Sequence, residues 1–549
     1  MSKVIDRTYS RFKWLATGYA VSILLSALVI IFLARMMGPE NYGIYAIALL
    51  IPYSLGSIAD VGTTSAVIYY ISRHKKNGGF ISDCYKTGLI IAFIWSISLS
   101  TVLMLTSHII AIGLFHRPNI SSLLRISVFI VVASACSNVS VGALISIGKQ
   151  KIVGLYYIFA SILRNGLVLI TFVVSRDIFL VVLAQTVGYL MAGALLSKYT
   201  INSLPNGHFD KKMIKIILSY GAPYALGVFV LSLCIQFYNF LAAILMDDFS
   251  YGNFSVAWLI FTSIMAIPSS LSTSLFPSIS EANYDSKYGL ASIFGSSVKF
   301  ASSLLLYTWV TLGGASSIII NLIYGSKYSL AADIFFILSI VFVLGIVGWG
   351  VINPFLLSLK KTKILAIINV GSVVISFALL NIILLPYFSN SIWAIPLAFV
   401  LLHGLATMMG LCYLRLKYEV RIAKWPAFKL FLIVVILFIF VRKISLIDIN
   451  IYIEIGGYLL DLMVFFKVLL IFLGIGMAYI AMLITFRVLT REDYELLKQT
   501  FFSSLKINWL IGKIADKAFL MGEKLGEFSK KLSPRNKQRY TQKTVKNLA

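Results

Sequence analysis

Two ionisable residues stand inside long apolar runs: Arg164, near the middle of residues 152–174, and Asp60, within residues 44–70. At bilayer depth such a group costs about 2.5–3.5 kcal/mol, so each needs a partner or a ligand. A guanidinium offers a planar, permanently charged fork that fits phosphate oxygens. Arg164 therefore reads either as a cationic floor for an anionic ligand, with Asp60 tuning it, or as half of a structural ion pair. Asn138, Gln236, Asn239 and Asn353 are further candidates to line a cavity, as are Gln185, Asn369 and His403. Hydrogen bonding between helices is the other use for all of these. Arg125 and Asp333, each near the start of an apolar run, form a candidate outer gate, or else two solvated interfacial residues.

The runs that position these groups dominate the chain. Of 549 residues, 59% are hydrophobic and 12% charged, which fits a polytopic membrane protein and not a soluble one. Apolar runs predict fourteen spans, at 14–34, 44–70, 86–107, 122–147, 152–174, 178–197, 216–245, 252–279, 300–323, 330–358, 364–385, 391–414, 426–441 and 458–486. With both termini in the cytoplasm, 38 of the 47 Lys and Arg fall on the inner side. Only seven fall outside: Arg35, Arg117, Arg125, Arg176, Lys327, Arg442 and Lys443. That asymmetry sets the orientation and accounts for the net charge of +26, so nucleic-acid binding is not needed to explain it. The four cysteines and five histidines show no spacing suited to a metal site or a disulfide framework.

The pattern repeats. Tyr42-Gly43 follows the first run and Tyr251-Gly252 the seventh; Phe115 closes the third and Tyr324 the ninth. Both pairs lie 209 residues apart. The expected fold is all-α: two six-helix lobes in parallel repeat (residues 1–197 and 216–414), a cytoplasmic linker (198–215) and two extra helices (415–486). A cytoplasmic amphipathic helix with a basic tail is expected over 487–549. Lys467 sits in the last span, a candidate for a lipid phosphate or a snorkelling lysine.

The stretch from Leu33 to Tyr70 contains Gly38-Pro39, Tyr42-Gly43 and Asp60-x-Gly62. It resembles the opening of the O-antigen (Wzx-type) flippases of the multidrug/oligosaccharidyl-lipid/polysaccharide exporter (MOP) superfamily. The turn Tyr324-Gly325-Ser326-Lys327-Tyr328 and the end LTREDYELLK resemble the same family. The resemblance implies a two-lobed fold with a cationic cavity and alternating access in the cell membrane. It also implies a polyprenyl-(di)phosphate-linked oligosaccharide as substrate. The drivers left open are an H⁺ or Na⁺ gradient, the membrane potential and consumption of the product; no cofactor is expected, and the chain is expected to act as a monomer amid membrane lipids or together with glycan-assembly proteins. One alternative is a cation-coupled multidrug or small-solute antiporter of the same superfamily. A polyprenyl-dependent glycosyltransferase or polymerase is the alternative from another class, but the outer loops lack the acidic spacing such an enzyme needs. No Gly-x-x-x-x-Gly-Lys-Ser/Thr loop is present, so direct use of ATP is not expected.

Overall fold

The computed structural model describes residues 2–56, 58–74, 77–265, 287–359, 361–388, 391–420, 422, 424–445, 452–455, 458–461, 471–486 and 488. Lys467 and, but for residue 488, the expected amphipathic helix and tail lie outside them.

The chain opens with α1 (Ser2–Leu55), which covers the first predicted span and the opening part of the second, residues 44–55. It is interrupted at Gly38, whose φ of 76° leaves the helical region, and Pro39 then opens the next helical stretch with its fixed φ and missing N–H. Sequence alone predicts one unbroken helix over 44–70. Instead, the chain leaves the helix after Leu55 and re-enters it as α2 (Thr63–Arg73), with Val61 and Gly62 at positive φ between them. This interruption holds Asp60.

There follow α3 (Gly78–Ile109), α4 (Ile120–Ser127), α5 (Phe129–Ser146), α6 (Gln150–Ser175), α7 (Ile178–Ser203), α8 (Lys211–Leu245) and α9 (Asp248–Ile264). Polar side chains set three of their starts. Asn77 accepts from the Phe80 N–H, Asp177 from Phe179 and Asp210 from Lys212. Further along lie α10 (Lys287–Thr308), α11 (Ser316–Tyr324), α12 (Ser329–Ser339), α13 (Ile352–Ser358), α14 (Thr362–Leu379), α15 (Ser391–Tyr418), α16 (Lys424–Ser445) and α17 (Gly476–Thr485). One π-turn, Trp309–Gly313, precedes a 60° bend into α11.

Eight helices among the described residues are long and apolar enough to cross a membrane, or nine if the bent pair counts as one span. The predicted fourteenth span is corrected at its start. Residues 458–461 form a strand, which pairs antiparallel with Tyr452–Ile455 in a two-stranded hairpin. Helix resumes only with the π-turn Ile471–Ile475 and α17. Hydropathy cannot separate a β-rich apolar segment such as Tyr458–Asp461 from the end of a helix.

The chain divides into two compact units. The first comprises residues 1–259, 323–331 and 383–396. Its core joins α2, α3, α5 and α8 through Ala66, Val67, Tyr85, Val131, Val139 and Ile217. Polarity is arranged as membrane packing requires. Leu105, Ile109 and Val174 are exposed, whereas Ser100 donates to the Val128 carbonyl and Ser127 to the Ala48 carbonyl, both buried. Gly18 and Gly154 let α1 and α6 cross closely; a Cβ on either would come within 2.3 Å of the other helix's backbone.

The second unit comprises residues 260–322, 332–382 and 397–549. Phe294 packs edge-on to Phe355, and Phe261 meets Phe342 and Phe399. Trp309 stacks on Phe438 of α16 with ring centroids 4.5 Å apart. Tyr307 donates to the Phe472 carbonyl and Tyr479 to that of Ser303, both at 2.8 Å, which docks the α17 segment on α10.

Candidate functional site

Arg164 projects from α6 toward α1 and α7 within the first unit. Its Nη2 donates to Ser26 Oγ at 2.9 Å, and its guanidinium carbon lies 4.5 Å from the Tyr189 ring centroid. This places the cation over an aromatic face. Asn165 donates to the same Ser26 oxygen at 3.1 Å and to Ser161 at 2.9 Å, fixing the acceptor. Gln185 donates to the Tyr53 hydroxyl at 2.7 Å, and the Tyr53 and Tyr189 rings lie 6.1 Å apart. Tyr45 and Tyr156 complete the phenolic surround.

No carboxylate among the described residues lies within ion-pair distance of Arg164, so the ion pair with Asp60 that sequence allowed is absent. Its Nε is buried and has no hydrogen-bond partner. A guanidinium with a buried, unused donor and no counter-charge retains its capacity to bind an anion. Gly188 makes this geometry possible: a Cβ there would stand 2.8 Å from the Arg164 Cα, so α7 can bring the Tyr189 ring against the guanidinium only with glycine at the contact.

Asp60 serves locally. Its two carboxylate oxygens accept from the N–H groups of Gly62 and Thr64, each at 3.0 Å, so the carboxylate caps the start of α2. Gly62 has φ 78°, and a Cβ on it would lie 2.0 Å from the Gly221 carbonyl oxygen of α8. Asp60 also lines a cavity of about 200 Å³ with Gly56, Thr64, Ser65 and Asn138. The structure thus joins Asp60 to Asn138.

Gln236 and Asn239 share a different network, in which Asn239 donates to Gln236 at 3.2 Å and accepts from the Tyr251 hydroxyl at 3.2 Å. Arg125 is exposed on α4 and donates to Ser107 at 3.2 Å. Asp333 on α12 and Asn353 on α13 are both exposed in the second unit. Sequence reasoning missed Ser26, Tyr53, Asn165 and Tyr189, since a serine or tyrosine in a span carries no pattern that marks its neighbours. Among the described residues no three His, Cys, Asp or Glu side chains group as metal ligands.

The family described as "polysaccharide biosynthesis protein" matches residues 32–333, more than half of the chain. The chain belongs to that family. A Shigella flexneri protein assigned as an O-antigen transporter is 43% identical over 65 residues, a match spanning 12% of this chain and 15% of that protein. Among solved structures, the lipid II flippase MurJ in an inward closed conformation superposes with a TM-score of 0.57 at 16% identity, covering 86% of this chain and 98% of MurJ. An inward-facing multidrug resistance MATE transporter of the MOP superfamily gives 0.55 at 14% identity, covering 74% and 98%. The fold is the one shared by MurJ and the MATE transporter, and the eight or nine long apolar helices among the described residues make this a multi-pass membrane protein.

Proposed function

We propose that this protein is a flippase that moves a polyprenyl-(di)phosphate-linked oligosaccharide from the inner to the outer leaflet by alternating access. Arg164 carries the reading. A guanidinium with a buried, unused Nε donor and no carboxylate partner among the described residues suits the (di)phosphate of such a lipid. Family membership and the relationship to an O-antigen transporter support the glycan class. In this reading two six-helix lobes rock about a central path, with Asn138, Gln236, Asn239 and Asn353 as polar lining and Arg125 with Asp333 as an outer latch. Asp60 stabilises the α2 start that borders the path, and helices after residue 415 shape a groove for the lipid tail.

The test is translocation of a labelled glycolipid in proteoliposomes by wild type, Arg164→Ala and Arg164→Lys. Loss of transport by about ten- to a hundredfold in the alanine variant is expected, the range of a charge-assisted hydrogen bond. Normal transport by both variants at normal protein level removes Arg164 from the site. A second reading, a cation-coupled antiporter, is favoured by the buried Asp60 beside its cavity. Export of cationic drugs without any glycolipid movement would select it.

A further inference from the structure

Two turns hold two helix ends in a reciprocal arrangement. Near the end of α8, the Ala243 carbonyl accepts from Arg117 Nη1 at 2.6 Å. In α1, the Ala34 carbonyl accepts from the buried Tyr328 hydroxyl at 2.7 Å. Ala34 and Ala243 lie 209 residues apart, as do Phe115 and Tyr324, which begin the two turns. Each turn thus caps the helix that belongs to the other copy of the sequence pattern.

Between these caps the helices touch through glycine. A Cβ on Gly43 would lie 2.2 Å from the Asp248 carbonyl oxygen, and a Cβ on Gly252 would lie 1.8 Å from that of Pro39. Gly43 and Gly252 are 209 residues apart, and so are Pro39 and Asp248. All these residues belong to the first compact unit.

The two caps differ chemically. Tyr328 makes one neutral bond, whereas Arg117 also donates to the carbonyls of Phe115 and Met246 and pairs with the Asp248 carboxylate. The charge suits its place, since the last carbonyls of α8 have no helical donors and carry the negative end of the helix dipole. The Arg117 and Asp248 side chains are 12% and 28% exposed, so water reaches both when they separate. At Gly43 and Gly252 backbone meets backbone, flanked by the buried side chains of Tyr42 and Tyr251.

We infer that Arg117 and Asp248 form an outer gate of the transport path, additional to the Arg125–Asp333 latch, that is closed in this structure and broken when the path opens outward. The inference rests on the alternating-access reading, but not on Arg164 or on the identity of the glycan.

The experiment uses the full chain in proteoliposomes, with Cys84, Cys136, Cys234 and Cys412 replaced by serine. In the Arg117→Cys/Asp248→Cys double variant, a short, reducible bifunctional thiol reagent replaces the ion pair with a covalent bridge. Complete bridging is expected to stop glycolipid transport, and reduction to restore it. Transport that persists through a complete bridge overturns the gate. A second arm needs no substrate. Ser250→Cys, which introduces a thiol at a buried position in the first turn of α9, is labelled from outside with a membrane-impermeant maleimide. Adding Arg117→Ala is expected to speed labelling about tenfold, the factor carried by a hydrogen bond to a charged group. An unchanged labelling rate, with an unchanged melting curve, overturns the gate. If wild type moves no glycolipid while the labelling arm responds, the gate stands and the glycolipid reading falls.

Discussion

Gly188 of α7 lies directly against the backbone of Arg164 on α6, close enough that a Cβ would sit 2.8 Å from the Arg164 Cα. The contact sets how near Tyr189 comes to the guanidinium. A rigid helix–helix crossing thereby fixes the orientation of the charge.

Gly188→Val forces the two helices apart. Overpacking of this kind costs about 1–3 kcal/mol. A lower melting temperature in detergent is expected, together with weaker glycolipid transport. A variant that melts and transports as wild type does would show that the crossing tolerates the volume.

Tyr189 separates the ring's face from its hydroxyl. Tyr189→Phe keeps the aromatic surface under Arg164 and is expected to transport nearly normally. Tyr189→Ala removes a cation–π contact worth about 0.5–2 kcal/mol and frees the guanidinium to swing. The substrate concentration for half-maximal transport should rise in the alanine variant alone. Equal behaviour of the two would point away from ring-face support.

Asp60 distinguishes a cap from an ion site. Asp60→Ala leaves the Gly62 and Thr64 N–H groups without their acceptors, at a cost of about 0.5–2 kcal/mol. Asp60→Asn keeps one amide oxygen and loses the charge, so it should be the more stable variant in a thermal melt. If Asp60 only caps α2, the asparagine variant keeps its response to an imposed H⁺ or Na⁺ gradient. Loss of that response without loss of stability would favour the cation-coupled reading.

Gly62→Ala tests the break between α1 and α2. The position combines φ 78° with a carbonyl 2.0 Å from any Cβ. Left-handed backbone alone costs an L-residue roughly 1–2 kcal/mol, and the clash with Gly221 adds to it. Low accumulation of the folded protein in membranes is the expected result. Gly113, which has open space around it, serves as the matched control and should accept alanine at little cost.

The membrane class and most span positions were legible in the residues themselves. Long apolar runs of this length call for a bilayer, and the placement of Lys and Arg predicts which side faces the cytoplasm. The helices over 150–175 and 178–203 fall within a few residues of the runs that predict them. Arg164 was legible as well, because a charge inside such a run stands out against its cost. The interruption at residues 58–62 was not, since hydropathy continues across it while the backbone turns. Nor was the strand at 458–461, where residues of high β-propensity sit in an apolar run.

The sequence by itself determined that the chain is built of membrane-spanning apolar helices and which charges within them need a reason. Tertiary structure alone decided how those reasons are met. Asp60 satisfies its charge on the two N–H groups of its own turn. Arg164 instead rests on Tyr189 and Ser26 with one donor unused. Arg117 and Asp248, ordinary loop charges when read along the chain, pair across 131 residues. Local hydropathy reports the cost of burying a group. Its partner comes from another helix, at a distance along the chain that no local pattern records.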